Sequence, residues 1–208
     1  MFSRIIIMKT SSHVREELVR LFVAVELNET TRKNLADEQA HLMQAVAGVK
    51  WVSPALIHMT VVFLGDVFAG QIEGITNLLD TEADITPPFA IEVAGLGSFG
   101  TGHTPRVIWV GVKKGAEEMA SLQGGIDLGL RSLHLSLESR PFHPHFTLGR
   151  VKTPREARGL AGILNRSVAN IYGVVTVDRI LLMRSELHSQ GPVHTVLHES
   201  ALKGTVAG

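Results

Sequence analysis

The stretches "IHMTVVFLG" (residues 57–65) and "RPFHPHFTLGR" (residues 140–150) each set His-x-Thr inside an apolar run. Residues two apart on a strand point to the same face. His58 therefore projects with Thr60, and His145 with Thr147, while Met59, Val61, Phe146 and Leu148 turn to the opposite, packing side. Two imidazoles and two hydroxyls facing one cleft suit an in-line displacement at phosphorus. One neutral imidazole takes a proton from the attacking water or hydroxyl, and the other, protonated, hands one to the departing oxygen. With an unperturbed pKa of about 6.5, histidine offers both states near neutral pH. The threonine hydroxyls can donate to the non-bridging phosphate oxygens, where the transition state gathers charge. Neither a metal nor a covalent nucleophile is needed.

A single His-x-Thr is most simply part of an ordinary strand, because threonine is a good β-former. Two copies carry weight only if the surrounding elements repeat as well. Apolar, β-branched clusters predict strands at "LFVAVEL" (21–27), "IHMTVVFLG" and "FAIEVAGLG" (89–97), then at "RVIWVGV" (106–112), "HFTLGRV" (145–151) and "VVTVDRILLM" (174–183). Between them lie helical stripes. Asn28 or Thr30 offers an N-cap to Leu35, Leu42, Met43 and Val46, and Ile72, Ile75, Leu78 and Leu79 mark a second helix. Met119, Leu122, Ile126, Leu130 and Leu133 mark a third, weakened by Gly124 and Gly125. Thr153–Pro154 is a cap and first-turn pair for a fourth, running through about Val168.

The second series follows the first by about 85 residues, and the two histidines lie 87 apart. This order predicts an α+β fold of two pseudo-symmetric lobes, each an antiparallel sheet with flanking helices, facing across a central cleft. The repeats cover about 20–100 and 104–185. A hairpin strand "VHTVLHESAL" (193–202) follows the "HSQGP" turn, and all of it forms one domain over residues 20–208. Residues 1–19 read as an N-terminal extension, with Met8 an alternative start and "REE" (15–17) a solvated helix or tail.

Composition removes several chemistries. The chain has no cysteine, which excludes disulfides, zinc–thiolate and iron–sulfur sites and cysteine nucleophiles, and which fits a cytoplasmic location. Lys+Arg 20 balance Asp+Glu 20, against a broad electrostatic grip on duplex nucleic acid but not against a small basic pocket. No apolar run approaches the roughly 20 residues of a membrane span.

With these residues in place, the sequence resembles the two-histidine (2H) phosphoesterases, particularly the RNA 2′,3′-cyclic phosphodiesterases of the ThpR/LigT group, once named 2′-5′ RNA ligases. The likeness runs from "RLFVAVEL" through "WVSPALIHMTVVFLG", "PRVIWVGV" and "RPFHPHFTLGRV" to "SELHSQGPVHTVL". The resemblance implies that His58 is the proton donor to the leaving oxygen and His145 the proton acceptor from water, with Thr60 and Thr147 holding the phosphate. It implies a metal-independent, cofactor-free RNA 2′,3′-cyclic phosphodiesterase giving a 2′-phosphomonoester. The expected partners are RNA 3′ ends bearing a 2′,3′-cyclic phosphate, tRNA fragments and small cyclic nucleotides among them, bound by a monomer. The alternatives are 2′-5′ ligase or 2′-5′ phosphodiesterase activity, and a non-catalytic module that binds RNA ends. Many relatives carry tyrosine after the C-terminal Gly-Pro turn, where this chain has His194.

Four further sites stay open at the level of sequence. Strict alternation points Arg150 away from His145, but a bulge at Gly149 would bring it back to the phosphate. Phe22 is either a core aromatic or a platform for a terminal base. His143 and His145 share a strand face and could ligate a metal, although neither motif has a carboxylate close by. His188, His194 and His198 lie in or beside the last hairpin; most are expected in solvent, with His194 a candidate for the cleft.

Overall fold

In the computed structural model, residues 17–101, 104–153, 159–189 and 191–205 are described. The first half of the chain forms β1 (Leu18–Glu26), α1 (Glu29–Ala45), β2 (Val49–Trp51), β3 (His58–Phe68), α2 (Ile72–Ile85) and β4 (Phe89–Thr101). The second half forms β5 (Thr104–Val112), α3 (Ala116–Ser132), β6 (His145–Val151), α4 (Leu160–Arg166), β7 (Ile171–Val177), β8 (Arg179–His188) and β9 (Gly191–Ala201). Asn28 caps α1, accepting from the Thr31 amide at 2.9 Å. The buried faces are Leu35 and Leu42 on α1, Ile75 and Leu79 on α2, and Met119, Leu122, Ile126 and Leu130 on α3. Met43, placed on the α1 stripe by its spacing, is instead 57% exposed, because the buried arc at that level belongs to Gln39 and Leu42.

The strands make one antiparallel sheet in the order β7-β4-β5-β6-β3-β1-β8-β9, with β2 added against β6. The two halves of that order, β7-β4-β5-β6 and β3-β1-β8-β9, are the two lobes, and the sheet curls strongly between them. Only one residue, Asp178, separates β7 on one edge from β8 beside β1. Such a short crossing requires the sheet to bend back on itself.

The lobes are not the contiguous repeats that the spacing suggested. β4 comes from the first repeat yet pairs with β5, from Thr101↔Thr104 to Val93↔Val112. Two residues join these strands, and so short a link forces them to be antiparallel neighbours. The run at 174–183 likewise divides into two strands at Asp178, and the short strand β2 adds itself to β6. The first strand starts at Leu18, three residues before its apolar pattern becomes clear. α4 begins at Leu160; Pro154 and the expected first turn after it, like residues 1–16 and Met8, fall outside the described residues.

β3 and β6 meet at a single bridge, Met59↔Phe146, both of them fully buried. The local axis of pseudo-symmetry runs through this bridge, with His58 and Thr60 flanking one member and His145 and Thr147 the other. Both strands then carry the same irregularity. Val62 faces Val23 and Thr60 faces Ala24, so Val61 is an extra residue on β3. Gly149 faces Ile108 and Thr147 faces Trp109, so Leu148 is an extra residue on β6. Each bulge reverses the alternation beyond it. Phe63 and Arg150 are thereby turned to the face that carries the histidines.

Candidate active site

The cleft at the seam has a volume of about 950 Å³ and is lined by His58, Thr60, His145, Thr147 and Arg150 together with Phe63, Phe99, Arg106, His143 and His194. Thus the structure gathers both His-x-Thr pairs and Arg150 in one site. The bulge that redirects Arg150 is centred on Leu148, next to the glycine that suggested it.

The two imidazoles are held alike. His58 Nδ1 lies 2.8 Å from the Leu56 carbonyl, and His145 Nδ1 lies 2.7 Å from the His143 carbonyl. A carbonyl only accepts, so each Nδ1 carries the proton and donates it. Each Nε2 is then left with a lone pair for chemistry. The Thr60 hydroxyl, 3.2 Å away, donates to His58 Nε2.

Burial favours the neutral form of both rings. His58 is pushed down to about 4, chiefly by desolvation; its bond to the Leu56 carbonyl acts the other way, and His194, Arg32 and His145 depress it further. His145 is lowered by burial first, opposed by its bond to the His143 carbonyl, with His143 and Arg150 adding to the depression. Burial lowers His194 as well. The enclosure of the cleft therefore favours uncharged rings at His58, His145 and His194.

Phe22 does not offer a platform for a base. It is 3% exposed and stacks on His58, with ring centroids 4.9 Å apart and an interplanar angle of 27°. Its ring backs the imidazole, because the outward residue on this part of β1 must fill the space beneath β3. Phe63, 55% exposed, is the open aromatic of this lobe. No separate signal in the chain marks it, since only the bulge brings it round. His194 stands edge-on to His58 at 5.2 Å and to Phe22 at 5.0 Å.

The other lobe has its own aromatic wall. Phe99 meets His145 edge-on at 4.8 Å, and Trp109 meets His143 at 4.8 Å. The Trp109 indole lies over Gly97, where any Cβ would run into the ring. His143 and His145 have centroids 6.3 Å apart, and among the described residues no group of three His, Cys, Asp or Glu is placed to hold a metal ion. The remaining histidines divide. His188 is exposed, whereas His198 packs on α2 with Nε2 2.8 Å from Asp80 Oδ1, so it is not a solvated turn residue. No helix among the described residues is long and apolar enough to cross a membrane.

Known proteins resemble this chain in sequence and in fold. A family model described as the 2′-5′ RNA ligase superfamily matches residues 19–188. An RNA 2′,3′-cyclic phosphodiesterase of Methanothermobacter thermautotrophicus is 36% identical over 85% of this chain and 95% of its own length. One from Aquifex aeolicus is 33% identical over 89% and 96%. Among solved structures, TT0787 of Thermus thermophilus superposes with a TM-score of 0.76 at 32% identity, over 89% of this chain and 98% of that one. E. coli LigT in apo form shares the fold with a TM-score of 0.71 at 24% identity, over 89% and 98%.

Proposed function

The chain belongs to the 2′-5′ RNA ligase superfamily, and from this membership we propose that it is an RNA 2′,3′-cyclic phosphodiesterase working by paired histidines without a metal. The observation that carries the reading is the matched pair of imidazoles at the Met59–Phe146 seam, each with Nδ1 tied to the carbonyl two residues before it.

The chemistry follows from that arrangement. His145 Nε2 takes a proton from water as the water oxygen attacks phosphorus. The bond from phosphorus to the ribose 3′ oxygen breaks, and His58 Nε2 delivers a proton to that oxygen. A 2′-phosphomonoester and a free 3′-hydroxyl result, and solvent returns a proton from His145 to His58 for the next cycle. Thr60, Thr147 and Arg150 donate to the non-bridging oxygens.

Burial holds the His58 ring neutral near neutral pH, so the acid must gain its proton as the anionic substrate binds. A phosphate beside the ring favours the charged form and raises its pKa. The catalyst is thus assembled by its substrate. A monomer acting in the cytoplasm, on RNA ends including tRNA fragments or on small cyclic nucleotides, completes the reading.

A second reading uses the same site. If a 5′-hydroxyl of another strand replaces water at His145, a 2′-5′ linkage forms, and the aromatic wall of Phe99, Trp109 and His143 offers a surface for the incoming nucleoside.

The test is to incubate chelator-treated protein with a short RNA ending in a 2′,3′-cyclic phosphate, with and without a 5′-hydroxyl acceptor strand. A 2′-phosphomonoester formed at the same rate in EDTA is expected. A 3′-phosphomonoester, no turnover, or turnover that needs an added divalent ion overturns the proposal.

A further inference from the structure

The backbone that presents Leu56 to His58 is a short 3₁₀ turn, Pro54–Leu56, outside the sheet ladder. Its own bonds are few: the Leu56 amide to the Ser53 carbonyl at 2.8 Å and the Ile57 amide to the Pro54 carbonyl at 3.3 Å. Ser53, Pro54 and Ala55 are exposed. A turn with so little burial opens easily if nothing else fastens it. Yet the imidazole depends on it, because rotation of the Leu56 carbonyl would free Nδ1 and let the ring change tautomer.

Arg32, one turn into α1 and half-buried, reaches this segment. Its Nη1 donates to the carbonyls of Pro54 at 2.9 Å, Ile57 at 3.1 Å and Ala55 at 3.3 Å, and its Nη2 to the Leu27 carbonyl at 3.3 Å. The carbonyls on either side of Leu56 are therefore turned to the guanidinium, which leaves that of Leu56 turned to His58. The planar fork also ties the turn to the end of β1, the strand that carries Phe22 behind the imidazole.

We infer that Arg32 is the positioning residue of the proton donor: it holds the 53–57 turn so that the Leu56 carbonyl keeps His58 in its Nδ1–H form with Nε2 aimed into the cleft. The inference rests on the role proposed for His58, but the geometry beneath it stands apart from any activity. Arg32 touches neither reacting atom. Its charge has a second effect of the same kind, since a cation nearby opposes the imidazolium until the phosphate arrives. His145 supplies the contrast within the molecule. Its carbonyl partner, His143, lies in the segment between α3 and β6. There, among the described residues, an arginine reaches one backbone carbonyl, from Arg131 to that of Glu138 at 3.3 Å, and Arg140 pairs only with the Glu138 carboxylate.

The experiment is nitrogen NMR of the imidazoles in the full-length protein, with R32M and R32K beside the unaltered chain, followed by turnover of a 2′,3′-cyclic nucleotide. The unaltered protein should show both His58 and His145 as Nδ1–H. In R32M, His58 should become a mixture of tautomers and titrate at higher pH, while His145 stays as it was. R32K keeps the charge but loses the fork, so it should hold the titration low without restoring the single tautomer. We expect kcat to fall by about 10- to 100-fold in both variants, with KM changing by less than about 3-fold. An unchanged His58 tautomer in R32M overturns the inference, as does a change at both histidines, which would mark general loosening. Absence of turnover in the unaltered protein would count against the phosphodiesterase reading alone, since the NMR result needs no substrate.

Discussion

Around His58 the cleft is packed and apolar: Phe22 lies behind the ring, His194 stands at its edge, and Phe63 occupies the position that the bulge turns forward. Around His145 the same backbone positions carry other chemistry. Trp109 stands where the first lobe has Ala24, Val107 where it has Phe22 and Arg150 where it has Phe63, and the ring is less enclosed. Strand, bulge and Nδ1 hydrogen bond are common to both lobes, and the side chains around them are not. One repeated motif can in this way hold both an acid and a base. Two imidazoles in identical surroundings would share one affinity for protons; unequal enclosure separates them. Because it disfavours the charged form more at His58, the acid role proposed there depends on the anionic substrate reversing that order.

Removing each ring in turn puts this asymmetry under the greatest load. His58→Ala and His145→Ala should each lower kcat/KM by about 10²- to 10⁴-fold, measured by steady-state turnover of a 2′,3′-cyclic nucleotide. A substrate with a better leaving group should restore His58→Ala far more than His145→Ala, because only the former lacks protonation of the leaving oxygen. Equal rescue would mean that the lobes do not divide the roles in this way. The double variant should be little worse than either single one.

Protonation of the folded protein offers a second test. His58 is held at about 4, below the ordinary histidine value, so between about pH 6.5 and 4 the unfolded chain binds the extra proton. Stability then rises with pH across this window and is lost as pH falls. The cost reaches about 3 kcal/mol at the acid end. His58→Gln should flatten most of that slope in urea titrations, and His145→Gln less of it. Inorganic phosphate should oppose the acid loss in the unaltered protein by favouring the charged ring.

A packing test comes next in size. Gly97 lies under the Trp109 indole, so Gly97→Ala must displace the ring or the strand. We expect a loss of about 1–3 kcal/mol by thermal or urea unfolding, with the His145 lobe the one disturbed. The smallest effects should come from the residues that the bulges turn forward. Arg150→Met should raise KM several-fold and weaken its dependence on salt, whereas Phe63→Ala should raise KM with that dependence intact. Identical salt responses would mean that the two positions do not differ in kind.

How far these features could be read from the chain depended on their range. His58, Thr60, His145 and Thr147 stood out because a two-residue period and a repeated frame are local properties. Arg150 was half legible, since its parity was wrong for the cleft and only Gly149 hinted at the bulge. Phe22 stayed open between core and platform, because an aromatic next to a site looks the same whether it faces the ligand or supports a histidine. The division at Asp178 left only one acidic residue in an otherwise apolar run, so two strands read as one. Arg32 was invisible: on a helix near its N-terminus it looks like any solvated arginine, and its four carbonyl partners lie up to 25 residues away.

The exchange of strands between the lobes has a consequence for the order in which a nascent chain can fold. The His145 lobe is built from β4, β5, β6 and β7, so its sheet can close once residue 177 has left the ribosome. The His58 lobe pairs β1 with β8, and Ala24 must wait for Leu181. Until that late pairing the first strand to be made has a bare edge, a state prone to wrong partners. Synthesis thus completes the surroundings of His145 before those of His58, and a chain that stalls short of β8 would hold one imidazole in place with the other's lobe unfinished.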